Sequence, residues 1–164
     1  MKKYFYFLSF LLLITSCTED IKFNNPAFQT LKDNVFWRGR SYEAETETNG
    51  VFTIEGSLGY EKISFQFPEP SEKIYVLGIN NTSKAIYKNT LSGHEEEFVT
   101  GEGKGSGEVV ITEYNTVDKT ISGTFKFTAV NTDSNAEKQT MHFSEGVFYK
   151  IPVKLSANFV PVNN

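Results

Sequence analysis

The chain has 164 residues, of which 39% are hydrophobic, 15% are aromatic and one is a cysteine. This composition is typical of one folded domain, and it excludes a long disordered chain and a scaffold held by internal disulfides. The net charge is -4, and basic residues never cluster beyond a dipeptide, so nucleic acid is not expected as a partner.

The first sixteen residues have the pattern of a signal peptide. Lys2 and Lys3 precede an apolar run over residues 4–14, and small residues follow it. A run of about a dozen apolar residues is too short to span a ~30 Å hydrocarbon core. We therefore expect residues 1–16 to be cleaved from the mature protein.

The single cysteine, Cys17, stands directly after this segment. The sequence Ile14-Thr15-Ser16-Cys17 resembles the bacterial lipobox, in which the cysteine thiol takes a diacylglycerol and becomes the first mature residue. We predict that Cys17 is the lipid attachment site and that the acyl chains hold the protein at the outer membrane. The chain would face either the periplasm or the cell surface; the alternative is an ordinary signal peptide with a chance cysteine.

After a lipidated N-terminus and tether over residues 17–27, residues 28–164 are predicted to form a single β-domain. Apolar and polar residues alternate there with a period of two, which indicates half-buried strands. A helical turn is predicted only at residues 26–32. The predicted strands lie near residues 35–39, 41–48, 51–56, 61–67, 73–79, 84–88, 95–100, 107–114, 119–130, 137–143 and 146–153.

So many strands in one domain must either stack as two sheets or close on themselves. The sequence therefore predicts an all-β antiparallel meander that forms a β-sandwich or a flattened, calycin-like barrel of about ten strands. The two architectures remain alternatives at this stage. The predicted core includes Ile63, Phe65, Val76, Ile121, Phe125, Phe127 and Phe143.

Three stretches carry a resemblance to a known family. The hairpin from Gly107 to Phe127, the stretch Phe143 to Phe148 and the stretch Val35 to Trp37 are similar to strands of small Bacteroidota lipoproteins grouped as domains of unknown function. The resemblance covers most of the mature chain. It implies a lipid-anchored β-domain with no established activity, so it supplies no catalytic residues.

Two motifs that could carry chemistry are incomplete. The glycine-rich stretch 101–107 lacks the Gly-Lys-Ser/Thr order and the following helix of a phosphate-binding loop, and a hairpin loop is the expected structure. The stretch His94 to Glu97 is the densest set of potential metal ligands. The only other histidine, His142, is predicted to point outward, so neither a metal site nor a cofactor is expected.

Nucleophilic catalysis lacks its usual parts as well. The chain has two histidines and no cysteine besides Cys17, and no Gly-x-Ser-x-Gly elbow occurs. We predict no catalytic residues and a protein that is not an enzyme, although a hydrolase with an unrecognised site is a distant alternative.

One patch combines the lone tryptophan with two guanidinium groups. Trp37, Arg38 and Arg40 are candidate ligand-binding residues, because stacking and bidentate hydrogen bonds suit a glycan or an anion. The alternative is that Trp37 anchors the core while both arginines lie on the opposite, solvated face.

The expected function is that of a binding domain in the cell envelope. Its ligand would be a small apolar molecule, a glycan or an envelope partner, and an apolar ligand would lie inside the barrel. The alternative is a structural or interaction module with a filled interior, in which loops such as 101–107 and 131–136 contact partners.

Overall fold

The computed structural model describes residues 25–154, which form eleven strands and no helix. The all-β prediction is confirmed. The strands are β1 (Ala27–Lys32), β2 (Val35–Arg38), β3 (Ser41–Thr46), β4 (Phe52–Leu58), β5 (Glu61–Phe67), β6 (Ile74–Leu77), β7 (Lys84–Asn89), β8 (Glu96–Val99), β9 (Ser106–Asn115), β10 (Thr120–Asn131) and β11 (Thr140–Lys154). Within residues 25–154 there is no helix long and apolar enough to cross a membrane.

The structure differs from the predicted elements in two places. The helical turn at residues 26–32 is wrong, because β1 lies between β2 and β11 and its backbone groups join their ladders. The two predicted strands at 137–143 and 146–153 are one strand, β11. Gly146 does not end this strand. The backbone of Glu145 has a positive φ and the register with β10 shifts there, but β11 pairs with β10 on both sides of the shift.

Seven strands close into a ring in the order β11-β3-β4-β5-β7-β8-β10, with β10 paired to β11. The ring is strongly flattened, because two of its contacts are only two residue pairs long. One is Val130–Asn131 of β10 against Phe98–Val99 of β8. The other is Val153–Lys154 of β11 against Ala44–Glu45 of β3, and it is parallel, unlike the predicted antiparallel meander.

These two short contacts divide the ring of strands into two sheets. Sheet A contains β2-β1-β11-β10-β9-β6, and sheet B contains β3-β4-β5-β7-β8. The predicted alternatives of sandwich and flattened barrel thus describe the same molecule, a sandwich whose sheets join at two corners.

Aromatic rings fill the space between the sheets. Phe65 of sheet B lies 4.8 Å from Phe125 and 5.9 Å from Phe28, measured between ring centroids. Tyr87 of sheet B lies 5.7 Å from Phe143 of sheet A. Rings at these separations are in direct contact, so no ligand fits between them.

Six of the seven predicted core residues are buried, and the prediction that Val76 is a core residue is wrong. Its side chain is 48% exposed, whereas Tyr75 and Leu77 on either side face the core. All four residues of β6 are apolar or aromatic. Their pattern therefore does not indicate which face of this edge strand is buried.

The strand directions bring four connections to one end of the sandwich, which we call the loop end. They are the turns at residues 33–34 and 59–60 and the loops at 90–95 and 132–139. The pairings Lys32–Val35, Leu58–Glu61, Asn89–Glu96 and Val130–Thr140 close the corresponding hairpins.

Candidate functional site: a cleft at the loop end

An open cleft of about 980 Å³ lies at the loop end. It is lined by residues from two segments, 88–97 and 131–138, which contain the β7–β8 and β10–β11 loops. We call it the loop-end cleft. The backbone N–H of Thr132 donates to the carbonyl of Glu97 at 2.9 Å and joins the two segments.

Local hydrogen bonds shape the wall formed by residues 88–97. The N–H of Leu91 donates to Oδ1 of Asn89 at 3.0 Å, and the N–H of His94 donates to the carbonyl of Leu91 at 2.9 Å. The N–H of Thr90 donates to the carbonyl of Tyr60 at 3.0 Å. This last bond ties the wall to the turn at residues 59–60.

Side chains also fix the opposite wall, residues 131–138. Nδ2 of Asn131 donates to the carbonyl of Lys138 at 2.9 Å, across the base of the loop. Nε2 of Gln139 donates to carbonyls inside the loop, including that of Ser134 at 3.3 Å. Such bonds satisfy backbone groups that a loop would otherwise leave to water, so the chain's own hydrogen bonds hold both walls.

Asp33 connects this wall to the β1–β2 hairpin. Its carboxylate accepts from Nζ of Lys138 at 2.5 Å and from the backbone N–H of His142 at 2.9 Å. Burial acts to raise the pKa of Asp33, but the bonds from Lys138 and His142 outweigh it and hold that pKa below its ordinary value of 3.8. Asp33 therefore accepts these bonds as a carboxylate at neutral pH.

The charge of the cleft is predominantly negative. Five carboxylates and two lysines line it. Both lysines are already engaged, Lys88 with Glu97 at 3.9 Å and Lys138 with Asp33. The side chains of Glu95, Glu96, Asp133 and Glu137 therefore set the potential in the cleft, and a concave wall concentrates that potential.

A second polar cluster ties β1 and β2 to sheet B. The carboxylate of Glu61 accepts from Nε1 of Trp37 at 2.8 Å, from the hydroxyl of Tyr87 and from Nζ of Lys32. Burial opposes ionisation of Glu61, but these bonds keep its pKa below the ordinary 4.5. Burial and the bond to Glu61 raise the pKa of Tyr87, which keeps its hydroxyl protonated as a donor.

The structure separates the three predicted ligand-binding residues. Trp37 is 3% exposed and packs edge-on against Phe28 at 6.0 Å, whereas Arg38 and Arg40 are exposed. Only the arginines therefore reach the surface, and a ligand-binding role for the three stays a prediction. The predicted lipid site, Cys17, lies outside the described residues.

The histidine and glutamate stretch lies at the cleft. His94, Glu95, Glu96 and Glu97 all line it. His142 is exposed, as predicted, and its strand is separated from β8 by β10. Among residues 25–154, no group of three metal-ligating side chains comes together.

Sequence reasoning missed the cleft itself. Residues 131–136 were expected only as a loop that could contact partners, and nothing in the sequence places them beside 88–97. Asp33, Tyr60 and Glu61 were also missed, since single polar or aromatic residues at turns give no motif. The glycine-rich loop at 101–107 contributes nothing to this cleft.

The fold and the cleft define a class of protein: a β-sandwich closed at two corners, with a filled interior and an open cleft between loops. Residues 24–152 match the family described as Domain of unknown function (DUF6252), and the chain belongs to that family. A search of curated proteins found no match, and a search of solved structures found none either.

Proposed function

We propose that this protein is a lipid-anchored binding domain of the cell envelope and that its ligand occupies the loop-end cleft. The observation that carries the proposal is the cleft, about 980 Å³ in volume, a size near the upper end of small-molecule sites. Its walls are held by hydrogen bonds that the Asn89 side chain accepts and that the Asn131 and Gln139 side chains donate.

The filled interior supports an external site. A calycin-like ligand would need the space that Phe28, Phe65 and Phe125 occupy, and these rings touch across the two sheets. The signal-peptide pattern and Cys17 support the envelope location and the acyl anchor. No catalytic set enters the proposal, and the domain acts by binding.

Hydrogen–deuterium exchange of the mature lipoprotein in phosphatidylcholine nanodiscs tests this function. The probes are neutral chitooligosaccharides, lysine-rich peptides, glutamate-rich peptides and a fatty acid, each added separately. Protection of segments 88–97 and 131–138 by any of them supports the proposal. Protection confined to residues 101–107, to 38–40 or to core strands overturns it.

A further inference from the structure

Exposed apolar side chains lie at the loop end, the end of the sandwich that carries the cleft. Val35, Phe36 and Tyr60 are 66%, 63% and 62% exposed, and Leu91, which lines the cleft, is 38% exposed. We call these four residues the apolar rim. Val35 and Phe36 begin β2, whereas Tyr60 lies in the β4–β5 turn and Leu91 in the β7–β8 loop, so the rim is a feature of the assembled fold.

Hydrogen bonds and ion pairs tie the segments that carry the rim to the walls of the cleft. Tyr60 is bonded to Thr90 of one cleft wall through its backbone carbonyl. The hairpin that carries Val35 and Phe36 is tied to the opposite wall by the Asp33–Lys138 ion pair. The same hairpin is tied to β5 by Lys32, which pairs with Glu61.

From the rim and the charge of the cleft we infer the partner: an extended segment of another protein that carries lysine or arginine beside apolar side chains. This inference rests on the proposed function of the cleft and names its ligand. Leu91 in the cleft and Tyr60, bonded through its backbone to the cleft wall, give the apolar side chains of such a segment a surface to pack against. The carboxylates of Glu95, Glu96, Asp133 and Glu137 complement cations and repel an acidic segment.

The dimensions fit such a segment. The cleft lies over the ends of β7, β8 and β10, two gaps of about 4.8 Å each, or about 10 Å in all. An extended chain rises about 3.3 Å per residue, so about three residues span that width. Because intrachain hydrogen bonds hold both walls, little conformational change is expected on binding.

Fluorescence anisotropy with two labelled ten-residue peptides tests the inference. One alternates lysine and leucine, and the other alternates glutamate and leucine. The mature lipoprotein is held in phosphatidylcholine nanodiscs at about 0.15 M salt, and empty nanodiscs give the background. We expect the lysine peptide to bind and the glutamate peptide not to bind.

A matched pair of charge variants locates the binding. Glu96→Gln with Glu137→Gln removes two carboxylates of the cleft. Glu45→Gln with Glu113→Gln makes the same charge change on β3 and β9, near the opposite end of the sandwich. The cleft pair of substitutions should weaken binding of the lysine peptide about tenfold, and the distant pair should weaken it less than about twofold. Tyr60→Ala should also weaken it, and thermal unfolding checks that each variant is folded.

Equal weakening by both charge pairs would mean attraction to the overall negative charge and would overturn the inference. Binding of the glutamate peptide would overturn it as well. If exchange shows the cleft protected by a chitooligosaccharide while the lysine peptide fails to bind, the proposed function stands and the peptide partner is wrong. If no probe protects the cleft, both fail.

Discussion

The ring of Phe28 in sheet A lies against the backbone of Gly56 in sheet B. A Cβ at position 56 would lie 2.6 Å from two carbons of that ring, closer than real Cβ contacts come. The missing side chain of Gly56 is therefore what admits the Phe28 ring between the sheets. That ring lies 5.9 Å from Phe65 and 5.4 Å from Phe125, so it joins the aromatic groups of both sheets.

Gly56→Ala should destabilise the domain by about 1–3 kcal/mol, because the added methyl group displaces a ring in a packed core. Equilibrium unfolding in urea, followed by the fluorescence of the only tryptophan, Trp37, measures the change. Ser57→Ala is the control, because Ser57 is only partly buried and loss of its hydroxyl should change the free energy of unfolding little. Equal unfolding midpoints for the two variants would contradict this account of the contact.

Phe125→Ala and Lys126→Ala test the two faces of β10. Phe125 is 3% exposed and packs against Phe28 and Phe65, so its truncation should cost about 3–5 kcal/mol. The Lys126 side chain is 69% exposed and pairs with Glu108 at 3.0 Å, and an exposed pair contributes about 0–1 kcal/mol. Similar shifts in the thermal midpoint would show that the observed inward face is wrong.

Glu61→Gln should destabilise the domain at neutral pH by about 2 kcal/mol, because it removes charged hydrogen bonds to Lys32, Tyr87 and Trp37. The folded pKa of Glu61 lies below its ordinary 4.5. Its contribution is therefore present above pH 4.5 and is lost as pH falls through the folded pKa. Unfolding measured from pH 7 to pH 3 should show the difference from wild type shrinking on acidification.

Glu55→Gln serves as the control for that series. Glu55 pairs with Lys62 at 2.8 Å on the outer face of sheet B, with the Lys62 side chain 48% exposed. Loss of that exposed pair should change stability by less than about 1 kcal/mol. A constant gap between Glu61→Gln and wild type across the pH range would refute the ionised role of Glu61.

Cys17→Ala tests the predicted anchor. Because only a thiol accepts the diacylglycerol, the variant should accumulate as uncleaved precursor or leave the membrane fraction. Fractionation of cells, with mass spectrometry of the product, measures both outcomes. Normal processing with full membrane retention would rule out a lipid on Cys17.

Periodicity predicted the fold class well because most strands bury one face. In β10, the alternation of Phe125, Lys126 and Phe127 matches the observed burial. Periodicity did not identify β1 as a strand. Phe28 and Thr30 face inward there because β1 pairs with β11 on one side and with β2 on the other. Such long-range pairing leaves no local signal.

The site was predictable only in part. The residues His94 to Glu97 drew attention by composition, but their partners at 131–138 are brought near by the pairing of Phe98 and Val99 with β10. That pairing is only two residues long. Residue type made Trp37, Arg38 and Arg40 candidate ligand-binding residues. Strand alternation and the hydrogen bond to Glu61 place the indole of Trp37 inside the molecule.

A matched pair of tryptophan substitutions in one loop tests the binding site most directly. Ala136 lines the cleft, whereas Ser134, two residues away, does not. Ala136→Trp should obstruct part of the cleft and weaken binding of the lysine and leucine peptide, while Ser134→Trp should bind it like wild type. Unchanged binding by Ala136→Trp, or equal loss in both variants with both folded, would contradict a ligand site in the loop-end cleft.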